Sequence, residues 1–278
     1  VESRNQFYDA VPDVVARYMG EISELTGRQY RPFSYYGSPD AENIIVAMGS
    51  VTETIKETID YLEKKGRKYG LVTVHLYRPF SEKYFLKALP KHVKKIAVLD
   101  RTKEPGALGE PLYLDVKALF QGKEQSPIVV GGRYGLSSKD TTPSQIVAVF
   151  DNLEQKEPKT DFTIGIVDDV TFKSLPIRNE ISIVKPGTTE CKFYGLGSDG
   201  TVGANKNTIK IIGGHTDLYC QAYFDYDSKK SGGYTCSHLR FGSAPIKAPY
   251  LVSTPDFVAC HVTSYLRKYD VLKGIKTG

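Results

Sequence analysis

Between Cys191 and Lys206 the chain reads Cys-Lys-Phe-Tyr-Gly-Leu-Gly-Ser-Asp-Gly-Thr-Val-Gly-Ala-Asn-Lys, and Gly195, Gly197 and Gly200 fall at the spacing G-x-G-x-x-G. Glycines so placed let the backbone turn sharply and approach a phosphate closely. A short, partly apolar strand precedes them, and an apolar helical run through Ala204, Thr208, Ile211 and Ile212 follows. A helix that begins there presents unpaired N–H groups and the positive end of its dipole to an anion. The spacing alone is weak evidence, because structural strand-to-helix turns also meet it; the strand and helix on either side carry the phosphate-loop reading.

The next strand bears on the ligand. An NAD site calls for an acidic residue about 20 positions beyond the glycines, at the end of the second strand. Asp217 has that separation but precedes the strand, which is expected over Tyr219–Tyr226. On that strand Cys220, Ala222 and Phe224 share one face, and Gln221, Tyr223 and Asp225 the other. At its end stands Asp227-Ser-Lys-Lys-Ser-Gly-Gly233. Lys229 and Lys230 there can neutralise an extra ribose phosphate, the 3′-phosphate of coenzyme A or the 2′-phosphate of NADP. A solvated Lys-Lys turn is the alternative, since charged residues mostly lie on wet faces. Tyr234–Phe241 reads as a β segment, with His238 and Arg240 on one face as a surface pair or as anion contacts. His215 and His261 have no partner in sequence and read as core or surface histidines.

Other chemistries find no support. There is no G-x-S-x-G, H-E-x-x-H or G-x-x-x-x-G-K-[ST]. Cys191, Cys220, Cys236 and Cys260 lie 29, 16 and 24 positions apart, not in the close pairs of metal or cluster sites. They read as buried thiols in a reducing cytoplasm. Residues 183–278 hold 12 Lys and Arg against 7 Asp and Glu, whereas the other 182 residues hold 25 of each. That modest excess suits a small anionic ligand rather than a nucleic acid. No run of 18 apolar residues predicts a membrane span, and the N-terminus, Val1-Glu-Ser-Arg4, lacks a signal-peptide layout. It also lacks an initiator Met, as an excerpted chain would.

The elements that must position these residues follow a regular rhythm. Phe7, Val14, Val15, Tyr18, Ile22 and Leu25 predict a helix over residues 5–26, with Pro12 as a break or first-turn position. Asn43–Met48 reads as a buried strand, and Ser50-Val-Thr-Glu53 has capping-box form, opening a helix that stops at Gly66. Strands at Leu71–Leu76, Lys95–Leu99 and Pro127–Val130 then alternate with helices that open at Ser81, Pro111 and Pro143. Alternation of this kind predicts a mainly parallel sheet covered on both faces. Loops at Arg78–Phe80 and Leu99–Pro111 lie at the C-terminal strand edge and read as a functional rim or an interface. The expected organisation is a helical or linker segment at 1–36, a doubly wound domain at 37–155, a linker and crossing segment at 156–182, and a second α/β domain at 183–278. The whole is α/β, two doubly wound, mainly parallel-sheet domains, the second cut short.

At this point a family resemblance appears. The words Gly195–Gly213 and Tyr223–Gly242 resemble the coenzyme A-binding domain of pyruvate:ferredoxin (flavodoxin) oxidoreductases. Val74–Phe80 and Ala97–Pro111 resemble the preceding domain of those enzymes, itself similar to the C-terminal domain of transketolases. The resemblance implies an internal fragment of an enzyme that turns pyruvate, coenzyme A and oxidised ferredoxin into acetyl-CoA, CO2 and reduced ferredoxin. It implies that Gly197, Ser198, Asp199 and Gly200 cradle phosphates while Lys229 and Lys230 meet the 3′-phospho-ADP end, and that no catalytic or metal-ligating residue lies in this piece. Thiamine diphosphate and iron–sulfur clusters would belong to the parts of the full enzyme outside it. Partners would be coenzyme A, the remaining domains, and ferredoxin or flavodoxin through a homodimeric full enzyme; the isolated chain would be inactive. An NADP-binding oxidoreductase module and a pair of ligand-free scaffold domains stand as the alternatives.

Overall fold

The structure is a computed structural model that describes every residue except Gln125, Ser228–Ser231 and Gly278. It divides into two compact units, Val1–Ile181 and Ser182–Gly278.

The first unit is built on a sheet of six strands: β1 (Phe33–Gly37), β2 (Asn43–Ala47), β3 (Tyr69–Val74), β4 (Lys95–Asp100), β5 (Ile128–Arg133) and β6 (Phe162–Thr163). Their order is β1-β3-β2-β4-β5-β6, parallel throughout except for β1, which pairs antiparallel with β3 at the edge. The strands between the edges are near-continuous apolar runs because both their faces are covered. Ile45, Leu71, Ala97 and Val130 meet α2 (Val51–Glu63) and α5 (Pro143–Glu154) on one face. Ile44, Val72, Ile96 and Val129 meet α3 (Glu82–Ala88) and α4 (Pro111–Leu119) on the other. Successive residues of each strand thus feed opposite cores, as the two-residue period of a pleated strand requires. The sheet takes in residues on both sides of the 37–155 span, through β1 and β6.

Two local expectations are corrected. The capping box at Ser50 does not form: Ser50 already has helical φ −64°, and Glu53 turns to Lys56 at 2.6 Å instead. Pro12 does not break the first helix, α1 (Asn5–Thr26), which runs through it. The apolar stripe of α1 stays largely exposed, with Phe7 at 66% and Leu25 at 86%.

In the second unit β7 (Thr188–Leu196), β8 (Tyr219–Tyr226), β9 (Tyr234–Gly242) and β10 (Phe257–Cys260) form a sheet in the order β10-β7-β9-β8. β7, β8 and β10 share one direction, and β9 lies antiparallel between β7 and β8. The cause is local. Residues 227–233, which join β8 to β9, are too few for the crossover of a dozen or more residues that parallel neighbours need, so the two strands close as a hairpin. Helix α6 (Thr201–His215) covers one face. The other is covered by the chain around α7 (Tyr265–Lys268), whose Tyr265 packs with Tyr194, Cys236 and Val271. The second unit is thus also an α/β layer structure, with a sheet of mixed direction between α6 and the chain around α7.

Candidate functional site

The glycine loop is a strand-to-helix junction, as its spacing predicts. β7 ends at Leu196 and α6 begins at Thr201, with Gly197–Gly200 between. Gly200 has φ +90°, a backbone region that side chains other than glycine's rarely adopt, and so fixes the turn into the helix. Gly195 serves a different purpose. A Cβ built on it would lie 2.6 Å from the Thr201 Cβ, so the missing side chain lets helix and strand close on each other.

Asp199 does not turn its carboxylate outward. Its Oδ2 accepts the Leu196 N–H at 2.7 Å, its Oδ1 accepts the Thr201 N–H at 2.8 Å, and the Thr201 hydroxyl donates to Oδ2 at 3.0 Å. Burial works against the carboxylate's charge, but those donors outweigh it and hold Asp199 below the ordinary carboxylate range. Asp199 is thus the side-chain cap of α6. The amides of Gly197 and Asp199 are also spent, on Gly233 O at 2.8 Å and Leu196 O at 3.0 Å. The N–H groups of Ser198, Gly200, Val202 and Gly203 find no acceptor among the described residues and are the donors left for an anion.

Two neighbours complete the loop. Gly197 exchanges backbone hydrogen bonds with the end of the β8–β9 connection, donating to Gly233 O and accepting from Gly232 N at 3.2 Å. Lys229 and Lys230, expected to meet the extra phosphate, lie in that connection but outside the described residues. The second neighbour was not legible in the sequence. His261 follows β10 and places its Nδ1 2.9 Å from Thr201 Oγ1. Only the parallel pairing of β10 with β7 brings it there, 60 positions away in the chain.

His238 and Arg240 share a face of β9, but not as a surface pair. Both are buried, at 4% and 2% exposure. His238 Nδ1 accepts the Val252 N–H at 3.2 Å, and burial, with Lys192 and Arg240 nearby, lowers its pKa to about 3. Arg240 is paired with Glu190. In the first unit several charges near the rim are likewise committed. Asp100 accepts the N–H groups of Leu112 and Tyr113, each at 3.0 Å, and caps α4 from the end of β4. Arg133 binds Glu110 and Asp161, and Arg78 binds Asp115.

Among the described residues no group of three or more His, Cys, Asp or Glu could hold a metal ion. Burial pushes the Cys191 and Cys236 thiols up to about 11, so both are held as neutral thiols. Among the described residues no helix is long and apolar enough to cross a membrane.

Two family models match the chain: pyruvate:ferredoxin oxidoreductase core domain II over residues 41–146, and pyruvate ferredoxin/flavodoxin oxidoreductase over residues 190–278. The chain is 60% identical over 278 residues to a pyruvate-flavodoxin oxidoreductase of Enterobacter agglomerans, covering 100% of this chain and 24% of that one. It is 58% identical over 277 residues to the pyruvate:ferredoxin oxidoreductase of Moorella thermoacetica, with the same two coverages. The chain thus spans about a quarter of the length of these relatives. A solved 2-oxoglutarate:ferredoxin oxidoreductase from Magnetococcus marinus aligns at TM-score 0.35 and 21% identity, over 49% of this chain and 21% of its own.

Proposed function

The chain belongs to the pyruvate:ferredoxin oxidoreductase family, and from that premise we propose that its second unit binds coenzyme A for an enzyme that oxidatively decarboxylates pyruvate to acetyl-CoA and CO2 and reduces ferredoxin or flavodoxin. The observation that carries this reading is the pair of backbone hydrogen bonds between Gly197 and Gly232–Gly233, which draws the end of the Lys-bearing connection to the loop with free N–H groups. The N–H groups of Ser198, Gly200, Val202 and Gly203 take the diphosphate of the ligand; Lys229 and Lys230 meet its 3′-phosphate.

The remaining chemistry belongs outside these residues. Thiamine diphosphate and iron–sulfur clusters supply the decarboxylation and electron transfer in the full enzyme; this chain contributes the two α/β units that bind coenzyme A and pack as scaffold. The full enzyme acts in the cytoplasm as a homodimer, and the isolated chain binds without turnover.

Calorimetric titration of the chain with coenzyme A and with dephospho-coenzyme A tests the reading. Coenzyme A is expected to bind about tenfold tighter or better, a single phosphate contact's worth. Lys229→Gln with Lys230→Gln should erase that difference. Equal binding of the two ligands, or no binding of either, overturns it.

A further inference from the structure

His261 is held beside the glycine loop at two points. Its backbone N–H donates to the Tyr194 carbonyl at 3.0 Å, which fixes it at the C-terminal ends of the parallel strands β7 and β10. Its ring Nδ1 lies 2.9 Å from Thr201 Oγ1. A threonine hydroxyl carries one hydrogen, and that of Thr201 is donated to Asp199 at 3.0 Å. The same oxygen must therefore accept from His261, so Nδ1 bears a proton and Nε2 is the other nitrogen of an exposed ring. Among the described residues nothing bonds to Nε2. The sheet order places β10 on one side of β7 and β9 on the other. His261 and the Gly232–Gly233 end of the hairpin therefore flank the loop from opposite sides.

We infer that His261 reads the ligand directly: Nδ1 holds Thr201 and Asp199 in place, and Nε2 contacts the diphosphate of a coenzyme A-class ligand. The inference rests on the coenzyme A reading above and adds a residue to it. An ionised diphosphate offers only acceptors, so Nε2 must carry a proton to bond to it, and binding draws one onto the ring. The charged group that faces the ring is Asp199 of the loop, reached through the Thr201 hydroxyl.

Asparagine and glutamine separate the two nitrogens, because the asparagine amide stands where Nδ1 does and the glutamine amide where Nε2 does. Coenzyme A and dephospho-coenzyme A are titrated into the chain and its His261→Asn and His261→Gln variants, in buffers of differing ionisation enthalpy. His261→Asn, which keeps the Thr201 bond, is expected to weaken both ligands about tenfold and leave their ratio unchanged, the loss of one charge-assisted hydrogen bond. His261→Gln should weaken them about threefold or less. Dephospho-coenzyme A has no phosphate monoester to titrate, so the proton it takes up on binding reports the protein; His261→Asn should abolish that uptake. A His261→Asn chain that binds within about twofold of the parent and still takes up the proton overturns this inference while the coenzyme A reading stands. No binding to the unsubstituted chain overturns both.

Discussion

Arg240 and Glu190 face each other across the β7–β9 pairing, Nε to Oε1 at 2.8 Å, with side chains only 2% and 1% exposed. The pair fastens the irregular chain beyond β9 to the sheet. Arg240 donates to the Tyr250 carbonyl at 2.6 Å, and the Thr254 hydroxyl donates to Glu190 Oε2 at 3.1 Å. Removing one partner leaves the other charge buried, which costs about 3–5 kcal/mol, whereas replacing both by apolar groups is close to neutral. Arg240→Met is therefore expected to destabilise the second unit by about 3–5 kcal/mol, and Arg240→Met with Glu190→Met to recover much of the loss. Urea unfolding followed by far-ultraviolet circular dichroism checks it; a double variant no better than the single one contradicts it.

His238 makes the fold acid-sensitive. Its folded pKa of about 3 lies below the unfolded value near 6.5, so the native state binds fewer protons than the unfolded one. Stability from this group is fully present above the unfolded pKa and is lost as pH falls from there toward the folded value. By pH 5 the loss is expected to reach about 2 kcal/mol. His238→Asn keeps an acceptor for the Val252 N–H and has nothing to titrate. Urea midpoints across that pH range should slope less steeply for it than for the parent, and parallel slopes would contradict the assignment.

The close approach of Gly195 to Thr201 sets a third expectation. The Cβ of Thr201 is tied to the first turn of α6, so it cannot swing clear of an added methyl 2.6 Å away. Gly195→Ala should cost about 1–3 kcal/mol, the usual penalty for overpacking a closed contact. Gly195→Ala with Thr201→Ser, which removes a methyl of Thr201, should regain part of it. Thermal melts of the two variants decide the matter.

The first unit was legible because its signals are local. Ile44–Ala47 and Ile96–Leu99 are apolar runs followed by amphipathic helices, a pattern that fixes a parallel, doubly covered sheet. The glycine loop was legible for the same reason. What escaped were relations across long stretches of chain. Arg240 gave no sign of Glu190, 50 residues earlier, because a lone arginine on a strand looks the same whether wet or buried. His261 met Thr201 only once β10 had paired with β7. The antiparallel pairing of β9 with β8 could have been foreseen, since the connection of seven residues admits a hairpin and not a crossover.

Asp199 sits where a phosphate-loop reading wants a ligand contact, and the structure gives it a cap instead. Its carboxylate occupies the Leu196 and Thr201 N–H groups and adds a negative charge beside the donors left for an anion. Asp199→Asn keeps the shape and one carbonyl acceptor but removes the charge. Weakening the cap should cost about 1 kcal/mol of stability. Removing a like charge next to the phosphates should tighten coenzyme A binding by about threefold to tenfold, an effect that fades as salt screens it. Calorimetry at low and high ionic strength measures both trends. Weaker binding at both would contradict this and mean that the cap's hold on the loop outweighs the repulsion.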